Sequence, residues 1–116
     1  MTRINCVPPE ELSGPHLVAE YRELPRVFGL IRKARPGPAP SEYVLGPGHV
    51  RFFYDKAGWL LERQKSLISE MQRRGYRPSH TDPEPLAEGL YMGEWTPDAA
   101  ALELNRQRLA ERNGNA

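Results

Sequence analysis

The sequence predicts an all-α fold in a single compact domain of about three main helices. Three observations carry that prediction: stretches with apolar residues at three- and four-residue spacing, no alternating strand pattern, and Pro- and Gly-rich punctuation between the stretches. At 116 residues the chain can bury one modest core but not two independent ones.

The first helix is predicted to open at Ser13-Gly14-Pro15, where Ser can cap and Pro suits the first turn. Leu17, Tyr21, Leu24, Phe28 and Ile31 then form its apolar face. Pro25 removes a backbone donor inside this pattern, so a kink is expected near Tyr21 to Leu24. A loop containing Pro36, Gly37, Pro38, Pro40 and Gly46-Pro47-Gly48 follows. The second helix is expected from about His49 to Arg74, stopping at Gly75, with Val50, Phe53, Ala57, Leu60, Leu61, Leu67, Ile68 and Met71 as its stripe. Residues 76–95 read as an irregular connection anchored by Tyr91, Met92 and Trp95. Thr96-Pro97-Asp98 opens a third helix that should end near Arg112, leaving residues 113–116 as a frayed end.

Composition narrows the function classes. With 39% hydrophobic and 27% charged residues and a mean hydropathy of -0.65, the chain has no apolar run near the ~20 residues of a membrane span. It opens without the apolar stretch of a secretory signal, so a cytoplasmic protein is expected. Cys6 stands alone, without zinc-ligand spacing, and is expected to be a buried, reduced thiol. The net charge of +1 is segregated along the chain: residues 78–104 hold six acids and no Lys or Arg, leaving sixteen basic and nine acidic residues, a net +7, elsewhere. That distribution suits a cationic face for phosphates, although a mixed solvated surface is the plainer reading. Arg51, Lys56, Arg63, Lys65, Arg73, Arg74 and Arg77, on or beside the second helix, are candidates for such a face.

No P-loop, Ser/His/Asp order or metal-binding spacing is present, and neither a metal nor a cofactor is expected. Capping or surface roles are the first expectation for His16, His49 and His80. The residues that suggest chemistry are Thr2 to Asn5 together with His16, Glu20, Arg22, Glu23 and Arg26. A small second residue permits removal of Met1, which would leave Thr2 with a free α-amine of pKa about 8. Such an amine can attack an anomeric carbon, expel a base and leave a Schiff base, and β-elimination then needs one general acid/base. Glu20 and Glu23 are the carboxylates at hand. Glu23 is preferred because Arg22 and Arg26 flank it, four apart on one face. From the residues alone, Glu23 is more often a surface ion-pair partner.

Three stretches settle the choice: Met1-Thr-Arg-Ile-Asn5, Ala19-Glu-Tyr-Arg-Glu-Leu-Pro-Arg-Val-Phe-Gly29, and Leu45-Gly-Pro-Gly-His-Val-Arg-Phe-Phe-Tyr-Asp-Lys56. They closely resemble the phage-type pyrimidine-dimer DNA glycosylases, also called phage endonuclease V, and the likeness runs from residue 1 to about 112. The resemblance implies a mainly helical domain whose N-terminal segment threads between helices. It implies a combined glycosylase and abasic-site lyase acting on damaged double-stranded DNA, here expected as a monomer. By match, Thr2 is similar to the family's nucleophile and Glu23 to its acid/base. Arg3, Arg22 and Arg26 match lesion-side DNA contacts, and Arg108 and Arg112 match a phosphate-contacting pair. His16 is a further DNA-binding candidate from the same cluster. In the family the DNA is kinked and the base opposite the dimer swings into a pocket. The loop between the first two helices is shorter than in the phage enzyme, and no Phe, Trp or Tyr follows Trp95 where the family has an aromatic, basic tail. A smaller preference for dimers over undamaged DNA is therefore expected. The alternatives are the same chemistry on abasic sites or another lesion, and a DNA-binding module without catalysis.

Overall fold

The computed structural model describes residues 3–35 and 37–114. Among them are three α-helices and no strand: α1 (Gly14–Lys33), α2 (Ala57–Arg73) and α3 (Ala99–Gly114). The helical class and the order of elements are those the sequence predicts. No helix among the described residues is long and apolar enough to cross a membrane.

Helix α1 starts as its residues dictate, with the Ser13 hydroxyl accepting the His16 amide at 3.4 Å. Leu17, Tyr21, Leu24 and Phe28 are buried along one face. Pro25 lies inside the helix and has no N–H to give the Tyr21 carbonyl, four residues earlier. Gln64 on α2 supplies the missing donor, its Nε2 reaching the Tyr21 oxygen at 3.1 Å. A gap in one helix thus becomes a bond between two.

Two expectations are corrected. The second helix does not begin at His49: residues 49–56 are tight turns, including a 3-10 turn at Arg51–Phe53, and α2 starts at Ala57. The amides of Phe53, Tyr54 and Lys56 each bond the carbonyl three residues back, and the Lys56 ammonium folds onto the Phe52 carbonyl at 2.9 Å. In the connection at 76–95, Trp95 is an anchor, stacked on Tyr43 at 5.9 Å between ring centres and packed against Phe52, Phe53 and Trp59. Tyr91 is not one: it is 79% exposed, and Met92 is exposed too.

Ile4, Asn5, Cys6 and Val7 form a buried segment with no strand partner, so side chains must satisfy its backbone. The Ile4 amide donates to His49 Nε2 at 2.8 Å and its carbonyl accepts from the Tyr43 hydroxyl at 2.9 Å. Asn105 of α3 accepts from both the Cys6 and Val7 amides, at 2.7 and 3.1 Å. The Val7 carbonyl accepts from Arg63 of α2. Asn5 donates to Glu20 of α1 at 2.8 Å and accepts from Asn105, also at 2.8 Å. Glu20 in turn receives two bonds from Arg63, at 2.8 and 3.0 Å. All three helices therefore meet this segment through one polar network. Cys6 is buried as expected, and burial pushes its thiol up to about 11, so it stays protonated and unreactive at neutral pH.

Replacing Arg63 with Met should leave the Glu20 carboxylate buried without its counter-charge and cost about 3–5 kcal/mol of stability in urea unfolding. The double variant Arg63→Met/Glu20→Gln should recover part of that loss, because no uncompensated charge then remains.

Candidate functional site

The N-terminal segment, α1 and α3 enclose a cleft of about 200 Å³. Arg3 enters from the segment, His16 and Glu23 from α1, and Arg108 and Arg112 from α3. Seven of the residues singled out in the sequence, Asn5 and Glu20 among them, thus share one cavity, although more than a hundred positions separate the first from the last. Thr2 lies outside the described residues.

The two carboxylates of α1 have different fates. Glu20 also borders the cleft, but its side chain is 1% exposed and its oxygens are taken by Arg63 and Asn5. A carboxylate buried against a guanidinium and accepting three hydrogen bonds is a poor base for a substrate proton. The Glu23 side chain is 33% exposed, with the Arg26 guanidinium at 3.3 Å. Arg26 itself is largely solvent-exposed, while Glu23 lines the cleft.

The rest of the cleft is cationic and short of partners. Burial and, next, the nearby Arg108 charge lower the pKa of Arg3, with Arg112 adding to the repulsion. Arg3 Nη1, Arg108 Nε and His16 Nδ1 are buried and have no hydrogen-bond partner among the described residues. The other end of Arg108 reaches Glu111 at only 3.7 Å. Crowded guanidiniums with unmatched N–H groups form a natural receptor for phosphate oxygens.

Arg22 is exposed and does not line this cleft; it borders a second groove of about 440 Å³ with Tyr21, Pro25, Gln64, His80 and Pro83. The Tyr21 hydroxyl ties that groove's far wall, accepting from the His80 amide at 2.8 Å. Gln64 Oε1 is buried and unpartnered there.

Most basic residues proposed for a phosphate face on α2 are used inside the protein. Arg63 holds Glu20, Arg73 and Arg74 hold Glu70, and Lys65 pairs with Glu62 and Glu84. Those arginines hold the Glu70 carboxyl near 2, far below its ordinary range. His80 is exposed as expected and His16 half-buried, but His49 is 3% exposed and bonded through both ring nitrogens, which corrects its expected surface role. Sequence reasoning also missed Tyr43, Arg63 and Asn105 as supports of the segment that carries Arg3. Their signal was faint: a polar Asn105 at helical spacing among apolar residues of α3.

Among the described residues no three His, Cys, Asp or Glu side chains are grouped to hold a metal ion. The family profile described as pyrimidine dimer DNA glycosylase matches residues 1–84, which include Arg3, His16, Glu23 and the Gly46–His49 loop.

Arg3→Ala and Arg108→Ala should each reduce, by roughly 0.9, the slope of log affinity against log salt for duplex DNA, as each removes a phosphate contact. Arg106→Ala, on the same helix but paired with Glu11 at 2.9 Å, should leave the slope unchanged.

Proposed function

This chain belongs to the pyrimidine dimer DNA glycosylases, a DNA repair family, and on that premise we propose that it both excises the damaged base and cleaves the strand through a Schiff base on Thr2. The α-amine of Thr2, freed by loss of Met1, attacks C1′ of the damaged nucleotide. A C1′–N bond forms, the glycosidic bond breaks, and the departing base takes the electron pair. The nitrogen loses one of its two protons, its lone pair forms the C1′=N bond as the C1′–O4′ bond breaks, and the ring oxygen gains a proton, leaving a protonated imine. The protonated imine draws electrons from C2′, whose proton Glu23 removes. The C3′–O bond then breaks with the phosphate as leaving group. Hydrolysis of the imine returns the amine.

What supports this assignment is the contrast between the two carboxylates: Glu20 is buried and ion-paired with Arg63, while Glu23 is part-exposed at the cationic cleft. Arg3, Arg108 and Arg112 supply positive charge where a strand phosphate would sit beside the reacting sugar. The α-amine suits the nucleophile's task because its ordinary pKa, about 8, leaves part of it neutral without burial.

The second groove takes the base opposite the lesion. Its walls offer Pro25, Pro83 and Tyr21 as apolar faces, Gln64 Oε1 as a free acceptor for a base N–H, and Arg22 at the mouth for the backbone. Arg22 and Glu23, adjacent in sequence, thus serve two different nucleotides.

Borohydride should trap the protein on duplexes carrying either a thymine dimer or an abasic site, with the cross-link at Thr2 by peptide mass. Glu23→Gln should bind the same duplexes with unchanged Kd while single-turnover strand cleavage falls by about 10²- to 10⁴-fold. No cross-link on either duplex would overturn the amine chemistry, and cleavage of abasic but not dimer DNA would reassign the substrate.

A further inference from the structure

We propose that Tyr43 and His49 are positioning residues for the reacting amine: by holding the two backbone groups of Ile4, they fix the anchor of the segment that carries the amine two residues upstream. This rests on the amine chemistry just described and adds to it residues that contact neither substrate nor reacting atoms.

Ile4 is fully buried, and its N–H and C=O are gripped from the same loop, by His49 Nε2 at 2.8 Å and the Tyr43 hydroxyl at 2.9 Å. The grip is itself braced. His49 Nδ1–H donates to the Val44 carbonyl at 2.7 Å, which leaves Nε2 unprotonated and able to accept. Phe53 packs edge-on against the imidazole at 5.7 Å, and Trp95 stacks on the Tyr43 ring. A residue spans at most about 3.6 Å of chain, so a tether of only two residues joins the anchored Ile4 to the nucleophile. Slack at Ile4 is therefore slack at the nucleophile, and a misplacement near 1 Å can cost about a hundredfold in rate.

The grip is also sensitive to protons. Among the described residues the charged group that acts on His49 is Arg3, from the N-terminal segment, and the neighbouring titratable ring is Tyr43. Burial lowers the His49 pKa below its ordinary 6.5, with Arg3 adding to the effect and the Val44 bond opposing it. A base with a lowered folded pKa takes up its proton more readily once released. The closed grip is therefore favoured at neutral pH and weakened as pH falls below 6.5 towards the lower folded value. Titration of the amine, near pH 8, gives an acid limb of one proton; His49 adds a second, steeper section at lower pH.

Single-turnover imine formation on a preformed abasic duplex, trapped by borohydride, tests this in wild type, Tyr43→Phe, His49→Leu and His49→Gln. Tyr43→Phe and His49→Leu should slow trapping by about ten- to a hundredfold with Kd unchanged. His49→Gln keeps an acceptor for Ile4, so it should restore the neutral-pH rate and lose the second proton from the acid limb. If His49→Leu does not fold, Tyr43→Phe and the His49→Gln profile decide the matter. Wild-type rates in Tyr43→Phe with a two-proton limb retained in His49→Gln would overturn the proposal. Failure of wild type to cross-link would instead overturn the amine chemistry, and the grip is then read in the free protein from exchange of the Ile4 amide. Its protection should weaken below pH 6.5 in wild type but not in His49→Gln; an unprotected Ile4 amide would overturn the grip alone.

Discussion

The buried ion pair between Glu20 and Arg63 is the constraint on which the rest of the architecture depends. A carboxylate and a guanidinium removed from water are tolerated when their bonding capacity is filled, and here Arg63 meets Glu20 twice, Asn5 meets it once, and Arg63 also donates to the Val7 carbonyl. A well-packed apolar pair at the same place could be as stabilising. It could not specify a polar partner for Asn5, and through Asn5 and Asn105 the register of the whole N-terminal segment. The pair thus contributes specificity of arrangement more than free energy. It also sets two neighbouring carboxylates apart: Glu20 is buried and ion-paired, Glu23 part-exposed at the cleft.

Away from that network the polar atoms left without partners concentrate where function is expected. Arg3, His16 and Arg108 have unmatched buried nitrogens in the cleft, and Gln64 has an unmatched oxygen in the adjoining groove. A folded chain usually satisfies such groups, and packing three guanidiniums together opposes folding of the free protein. An anion in the cleft and a hydrogen-bond donor in the groove would remove both defects at once. A ligand supplying both would gain in part from relieving an unfavourable arrangement already present in the free molecule.

How much of this the sequence disclosed depends on how local the cause was. Helix α1 was legible because Ser13, Pro15 and the spacing of Leu17, Tyr21, Leu24 and Phe28 act within a turn or two of one another. The start of α2 was not, because the stripe Val50, Phe53, Ala57 fits a run of tight turns as well as a helix, and the Lys56 ammonium lands on a backbone carbonyl only in three dimensions. Tyr91 and Trp95 looked alike as aromatic residues in a Pro- and Gly-rich stretch; which of them enters the cage of Tyr43, Phe52, Phe53 and Trp59 is decided by tertiary contacts. Arg3, His16 and Glu23 stood out as a cluster of the N-terminal segment and α1, but only resemblance added Arg108 and Arg112, since no spacing rule joins residue 3 to residue 112. His49 escaped because its partner is a backbone amide forty-five positions away.

The start of α2 has a consequence for the order in which the chain assembles. No side chain caps that helix, and the amide of Trp59 is instead satisfied by the Gly93 carbonyl at 3.1 Å. The approach is so close that a Cβ on Gly58 would stand 2.8 Å from the carbonyl oxygens of Met92 and Gly93, and one on Gly93 would overlap the Asp55 carbonyl. Both positions are therefore reserved for glycine, and at Gly58, inside the first turn of α2, that choice disfavours the helix on its own. The first turn of α2 is thus weak until residues distant in the chain arrive to cap it. Local helix formation and long-range docking become one cooperative event, so a nascent chain halted before residue 93 would carry an α2 frayed at its leading end.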